Sequence, residues 1–288
     1  MKRKQLVAGI MAVLLAFTPI QSARAEGGIA LDTAHFPDKN FREYVSKKFD
    51  TNKDGLLSKD EIGRIGVIDC SNKGIRSLSG IEYFTWLECL SCNKNKLSKL
   101  DVSRCRCLER LDCSENKLTK LDVSKNRELL KLYCGDNKLT KLNVSKNVEL
   151  WVLNCENNRV TKLNVRTNTE LYELRCSKNK IKKLDVRRNE TLERLYCDNN
   201  KLTKLDLRRN RKLDRLRAYK NKLRRVDLAK GKVSVINWGW CYRGPLSYKG
   251  QGKNLTITVA TEDDLVWANE LRVYAAVSKA KIVIRKKK

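Results

Sequence analysis

Between Ile65 and Val233 apolar residues recur with a period of 21. In the tile from Leu108, LERLDCSENKLTKLDVSKNRE, they are Leu108, Leu111, Cys113, Leu118, Leu121 and Val123, with polar or charged residues between them. Leu111 and Cys113 stand two apart, the spacing that puts alternate side chains of a strand on one face. Leu121 and Val123 repeat it in the second half. Each half therefore reads as a strand followed by a turn, and 21 residues holding two such halves leave little room for a helix. Six tiles from Leu87 carry a cysteine at the same place: Cys92, Cys113, Cys134, Cys155, Cys176 and Cys197. A further tile from Leu213 has Ala218 there, and an earlier one from Ile65 carries Cys70 one residue out of phase. No single tile can bury its apolar face alone, so the pattern predicts tiles stacked row on row into a thin, β-rich solenoid.

The unit L-x-x-L-x-C-x-x-N-x-L resembles the leucine-rich repeat. Eleven cysteines in an exported chain would ordinarily suggest a disulfide framework, but here the period decides against it. Parallel strands lie about 4.8 Å apart, yet in-register side chains run parallel while a disulfide needs a dihedral near 90°. The expectation is a ladder of reduced, inward-facing thiols. Asn95, Asn116, Asn137 and their counterparts as far as Asn221 are expected to bond backbone groups in the turns. Cys89, Cys92, Cys105 and Cys107 have a spacing that suggests zinc. Cys89 and Cys92 would point to opposite faces of a strand, however, so free thiols are the default, with a disulfide among Cys89, Cys105 and Cys107 as the alternative.

The N-terminus changes the picture. Lys2, Arg3 and Lys4 precede an apolar run from Leu6 to Phe17, and Ala23-Arg24-Ala25 supplies small residues. That order predicts a secretory signal peptide, residues 1–25, and a secreted protein; the apolar run is too short to span a bilayer. A helical cap is expected over 26–64, starting near Pro37 and Asp38, with Phe41, Tyr44, Val45 and Phe49 as its apolar stripe. It leads into FDTNKDGLLSKDEI, where Asp50, Asn52, Asp54, Leu56, Ser58 and Glu61 fall at the calcium-ligating positions of an EF-hand loop, with Gly55 at its sharp turn. Calcium is the expected cofactor, with the task of stiffening the cap over the first tile. The repeats fill 65–233. Residues 234–288 read as a mixed C-terminal cap with a basic tail, in which Trp238 and Trp240 close the last coil.

Signal peptide, calcium loop and L-x-x-L-x-C-x-x-N-x-L-T-K-L-D-V-S-x-N tiles together resemble secreted leucine-rich-repeat proteins of Gram-positive anaerobes, distantly internalin-like, over residues 36–233. The resemblance implies cell-surface binding or adhesion to proteins, and it brings no catalytic residue. The chain departs from it in lacking a sorting motif and an apolar anchor, which leaves non-covalent retention at the surface. The residues themselves also speak against an enzyme: there is a single histidine, His35, and no phosphate-cradling glycine loop. Asp263-Asp264 reads as a helix start.

Charge then narrows the partners. The formal net charge is +29, and about +25 without the four basic residues of the leader, a balance that favours anionic partners. Lys96, Lys117, Lys138, Arg159, Lys180, Lys201 and Lys222 form one column, and Lys99, Lys120, Lys141, Lys162, Lys183, Lys204 and Arg225 another. Lys180, Lys182, Lys183, Lys201 and Lys204 are the nominated polyanion-binding residues. Anionic wall polymer, sulfated glycan and nucleic acid all fit, and the exported context favours the first two. A separate partner, protein or glycan, is expected on the strand face at Tyr133, Trp151, Tyr172, Arg175, Arg194, Tyr196, Arg217 and Tyr219, because these residue types dominate interface energies. The rival reading is that such aromatics simply suit strands.

Overall fold

The computed structural model describes residues 28–63 and 65–227, together with the backbone of three further strands. The expected leader, Cys241, Trp238, Trp240 and Asp263-Asp264 lie outside the described residues. The N-terminal part holds β1 (Ile29–Ala30), α1 (Lys39–Phe49), β2 (Leu56–Leu57) and α2 (Lys59–Gly63). Asp38 shows why α1 begins where it does and how it is fixed to the repeats. Its Oδ1 accepts the Phe41 N–H at 3.0 Å, capping the helix, while Oδ2 accepts the N–H of Arg76 at 2.7 Å from the first tile. Phe36, Phe41 and Val45 are fully buried in one core with Phe84 of that tile. Gly80 closes this contact: it has φ +104°, and a Cβ there would lie 2.3 Å from the Phe36 ring.

The tiles then contribute β3 (Val67–Asp69), β4 (Cys89–Ser91), β5 (Arg110–Asp112), β6 (Lys131–Tyr133), β7 (Val152–Asn154), β8 (Glu173–Arg175), β9 (Arg194–Tyr196), β10 (Lys204–Asp206), β11 (Arg215–Arg217), β12 (Arg225–Asp227), β13 (Val235–Asn237), β14 (Thr256–Val259) and β15 (Lys281–Ile284). A nine-stranded parallel sheet runs in the order β13-β11-β9-β8-β7-β6-β5-β4-β3. Its register places Leu90 against Leu111, then Leu132, Leu153, Leu174, Leu195 and Leu216, one buried leucine per rung. The repeat cysteines are fully buried beside them, and all ten described cysteines are free thiols. Burial pushes Cys155 up to about 12 and holds Cys92, Cys134 and Cys176 well above the ordinary thiol value.

Two asparagine ladders pin the turns. Asn116 donates through Nδ2 to the carbonyls of Cys92 at 3.0 Å and Cys113 at 3.2 Å, and its Oδ1 accepts the Leu97 N–H at 2.9 Å. Each such asparagine therefore ties its own tile to the one before. The second ladder was not foreseen in this role. Asn147 donates to Val123 O at 3.0 Å and Asn126 O at 2.6 Å, and Asn126, Asn168, Asn189 and Asn210 repeat the arrangement.

The second half of the tile departs from expectation. Leu121 and Val123 are buried as anticipated, but the segment pairs as a strand only from β10 onward. There β10, β12, β14 and β15 form a second parallel sheet. In earlier tiles Asp122 turns its carboxylate onto the Ser124 N–H at 2.9 Å, and the Asn126 N–H turns back to Val123 O at 3.1 Å. These local bonds bend the segment, but the tile of β10 keeps them too, with the Arg208 N–H on Asp206 at 3.2 Å and the Asn210 N–H on Leu207 O at 3.0 Å, so they do not by themselves decide whether it pairs.

Among the described residues no helix is long and apolar enough to cross a membrane.

Candidate functional site

The strand face is built from columns one tile apart. Trp151 and Tyr172 each precede a strand, and the Tyr172 N–H bonds Trp151 O at 2.9 Å, so their rings fall on neighbouring rungs. The ring centroids are 5.2 Å apart at 38°. Lys131 lies over Trp151 at 5.1 Å and Arg194 over Tyr172 at 5.2 Å, closing both ends of the pair with cations. Trp151 remains 43% exposed on a surface where most apolar side chains are buried. The third strand residues give a second cluster, in which Arg175 and Arg217 sandwich Tyr196 at 4.8 and 5.3 Å. Arg217 also reaches the Tyr219 ring at 5.9 Å. Tyr133 stands apart from both clusters, covered by Arg110 at 4.8 Å.

The arginines nominated from the sequence are not free charges. Glu173 pairs with Arg175, and with Arg194 at 3.4 Å. Arg217 meets Asp198 at 2.5 Å and Glu156 at 3.6 Å. Burial works against the Arg217 charge, but the Asp198 carboxylate outweighs it and raises the guanidinium above its ordinary value. Asp198 is fully buried and also accepts the Ser177 hydroxyl at 2.6 Å. This face is thus an aromatic surface with locally compensated charge. The sequence reading missed Arg110, Lys131, Glu156, Glu173 and Asp198. Writing the tiles in register was the signal that would have found them.

Unpaired charge lies elsewhere. Lys180, Lys182, Lys183, Lys201 and Lys204 are all exposed, and among the described residues none of them makes an ion pair. Lys183 and Lys204 line a shallow groove of about 350 Å³ with Asp185, Arg187 and Asp206. The aromatic and lysine sets occupy different stretches of each tile, and the structure does not merge them into one site.

The N-terminal loop carries the remaining candidates. Asp50 is buried, its Oδ2 accepts the Gly55 N–H at 3.1 Å, and its Oδ1 is buried without a partner. Asn52 donates to Asp54 at 2.9 Å, Leu56 pairs with Ala30 across β1 and β2, and Gly55 has φ +80°. Glu61 accepts from the backbone and hydroxyl groups of Thr51 at 2.8 and 2.7 Å through Oε1. Through Oε2 it accepts from those of Ser58, both at 2.9 Å. The Ser58 hydroxyl in turn accepts the Glu61 N–H, a reciprocal cap for α2. Partial burial opposes ionisation of Glu61, but these bonds outweigh it and hold the carboxyl down at about 2. Among the described residues no three His, Cys, Asp or Glu side chains converge as metal ligands. The orphaned Asp50 oxygen and the all-oxygen donor set nonetheless fit a hard cation.

No family model matches the chain. Over 69 residues, 24% of this chain and 8% of the relative, it is 40% identical to Internalin J of Listeria monocytogenes serotype 4b (strain F2365). The solved functional domain of InlJ from Listeria monocytogenes, which includes a cysteine ladder, is similar at 29% identity and TM-score 0.47. That alignment covers 71% of this chain and 57% of that one. A leucine-rich-repeat protein of Leptospira interrogans shares the fold at TM-score 0.55 and 21% identity, over 78% of this chain and 57% of its own. The chain thus spans a small part of its curated relative and little more than half of these solved chains. The fold is that of a leucine-rich-repeat solenoid, and a stretch of 69 residues is similar in sequence to Internalin J.

Proposed function

We propose that the protein is an exported binding scaffold, held non-covalently at a cell surface, whose strand face recognises a protein or glycan partner. The observation that carries this is the exposed Trp151 ring stacked on Tyr172 between Lys131 and Arg194. Exposed aromatic residues held by cations on neighbouring strands are rigid anchors, and such residues dominate interface energies. The test is capture of a partner from surface extracts at high salt, with the Trp151→Ala/Tyr172→Ala double variant alongside. A partner retained at high salt by the parent and lost by the variant supports the reading. Equal retention by both would remove it.

The unpaired lysine columns favour a second activity, binding of an anionic wall polymer or sulfated glycan at Lys180, Lys182, Lys183, Lys201 and Lys204. Stacked charges about 5 Å apart lie inside the ~8 Å screening length of physiological salt, so each column repels itself and gains from a polyanion. Calcium, in this proposal, is held by Asp50, Asn52, Asp54, Ser58, Glu61 and the Leu56 carbonyl. It would supply the Asp50 oxygen with its missing partner and stiffen the cap on the first tile.

A further inference from the structure

Resting on the polyanion reading, we infer that a flexible linear polyanion crosses the solenoid transversely at the tiles from Leu171 and Leu192, from the lysine columns into an arginine groove on the second half of the tile. It does not lie along the length of the ladder. The groove is lined by Arg166, Arg187, Arg188 and Arg209 with Asp185, Glu190 and Thr169, and has a volume of about 400 Å³. It shares Asp185 and Arg187 with the groove that holds Lys183 and Lys204, so the two are continuous across one ion pair.

The pairing within this band matters. Arg187 is locked in a two-pronged contact with Asp185 at 2.9 and 2.8 Å, and Arg208 with Asp206 at 2.8 and 2.6 Å. Each carboxylate neutralises one guanidinium and fixes its direction. Arg166 and Arg188, by contrast, make no ion pair among the described residues, and Arg209 has only a contact of 3.3 Å with the exposed Glu190. Free guanidinium groups therefore sit on one side of the locked pairs and free lysines on the other.

Charge along the axis opposes an alternative path that runs toward the N-terminus. The tile Leu108–Glu128 holds five basic and five acidic residues, whereas Leu171–Thr191 and Leu192–Lys212 each hold seven basic and three acidic. Toward the N-terminus a polymer laid along the lysine columns would leave the strongly basic tiles for weakly charged and then neutral ones, whereas toward the C-terminus it would reach Leu213–Val233, with eight basic and two acidic residues. The position of Arg187 explains the rest: the equivalent residues in earlier tiles are Ser103, Ser124 and Ser145, and arginine appears only at Arg166, Arg187 and Arg208. The arginine wall thus exists only beside the tiles where the charge is concentrated. From Lys183 to Arg188 is five residues, at most about 17 Å of extended chain, a reach that suits a few consecutive phosphate or sulfate groups.

The test uses inorganic polyphosphate and heparin as probes of phosphate and sulfate polymers, titrated into the full protein at about 50 mM salt and upward. Two triple variants are compared, Arg166→Gln/Arg188→Gln/Arg209→Gln and Lys96→Gln/Lys117→Gln/Lys138→Gln, with unchanged circular dichroism required of both. All six residues are exposed. The expected result is at least a tenfold loss of affinity in the arginine variant and a change below about twofold in the lysine one. The salt slope should also fall by roughly 2 in the arginine variant, taking about 0.7 per neutralised charge for a flexible strand. An equal or larger loss in the lysine variant, or unchanged affinity in the arginine one, overturns the transverse path and leaves polyanion binding standing. Absence of binding by the parent at low salt to both probes overturns polyanion binding and the path together.

Discussion

Asn137 offers a sharp test of what joins one tile to the next. It is nearly buried; its Oδ1 accepts the Leu118 N–H at 2.9 Å, and its Nδ2 donates to Cys113 O at 3.0 Å, Cys134 O at 3.3 Å and Gly135 O at 3.0 Å. Asn137→Ala strands the buried Leu118 N–H and withdraws a donor from these carbonyls. At about 1–3 kcal/mol for a buried group left unpaired, the loss should be roughly 2–4 kcal/mol. Asn137→Asp keeps the acceptor and the shape but turns an oxygen toward three carbonyl oxygens. At neutral pH it should cost on the order of 2 kcal/mol more than alanine, because a charge is buried without a donor. Its pH dependence gives the sign. The new carboxyl would titrate above its unfolded value in the native state, so the extra cost is full at neutral pH and fades as pH falls toward the unfolded value near 4. Urea unfolding followed by circular dichroism at pH 7, 5.5 and 4.5, each time against the parent, measures both effects. If the aspartate variant is no weaker than alanine at pH 7, or if its deficit does not shrink in acid, the amide ladder is not what couples the tiles.

Other outcomes follow from the core, the cap and the loop. Without denaturant, iodoacetamide should miss Cys113, Cys134, Cys155 and Cys176 while labelling the half-buried Cys89 and Cys107, as mass spectrometry of digests would show; Cys134→Ser should cost on the order of 1–3 kcal/mol. Gly80→Ala should destabilise the protein by about 3 kcal/mol or more, since its Cβ would strike Phe36, and a thermal melt within a degree or two of the parent would contradict this. Millimolar calcium should raise the melting temperature modestly through preferential binding to the folded form, and Glu61→Gln should abolish the rise; an identical response in the variant would exclude Glu61 as a ligand. Glu61 itself, held at about 2, contributes stability that is fully present above the ordinary glutamate value and lost as pH falls through about 2, so Glu61→Gln should flatten that part of the acid-unfolding curve.

Much of this was legible from one number, the period. Once Leu111 and Cys113 are assigned to the same face, the 21-residue repeat dictates that each buried leucine meets its counterpart on the next rung, and the register agrees throughout β4 to β11. The asparagine after the first strand was legible too, because a turn that recurs must satisfy the same backbone groups each time. The second half of the tile was misread for a physical reason. Leu121-x-Val123 has the spacing of a strand, but spacing reports only which side chains turn inward. Whether the backbone pairs is a separate matter: Asp122 and Asp206 make the same local bond, and only Asp206 lies in a paired strand. Charge pairing was hidden similarly. Arg217 and Asp198 are 19 residues apart, and neither declares a partner until the coils are stacked. The loop from Asp50 to Glu61 was legible as a list of oxygens, but not the engagement of Glu61 with Thr51 and Ser58, which depends on side-chain rotation rather than spacing.

The double tie made by each amide of the first ladder has a mechanical consequence. Hydrogen bonds between coils point along the solenoid axis, so tension applied at the two ends loads each seam directly and opens it bond by bond rather than shearing a whole strand at once. Neighbouring coils hold only each other, so the chain should pay out one coil at a time. Each release frees 21 residues, about 65 Å of new contour once the ~4.8 Å thickness of the folded coil is subtracted. A scaffold fixed at one end to a surface and at the other to a partner would then behave as an extensible tether with a ratchet of equal steps. Single-molecule pulling should record those steps as an evenly spaced saw-tooth.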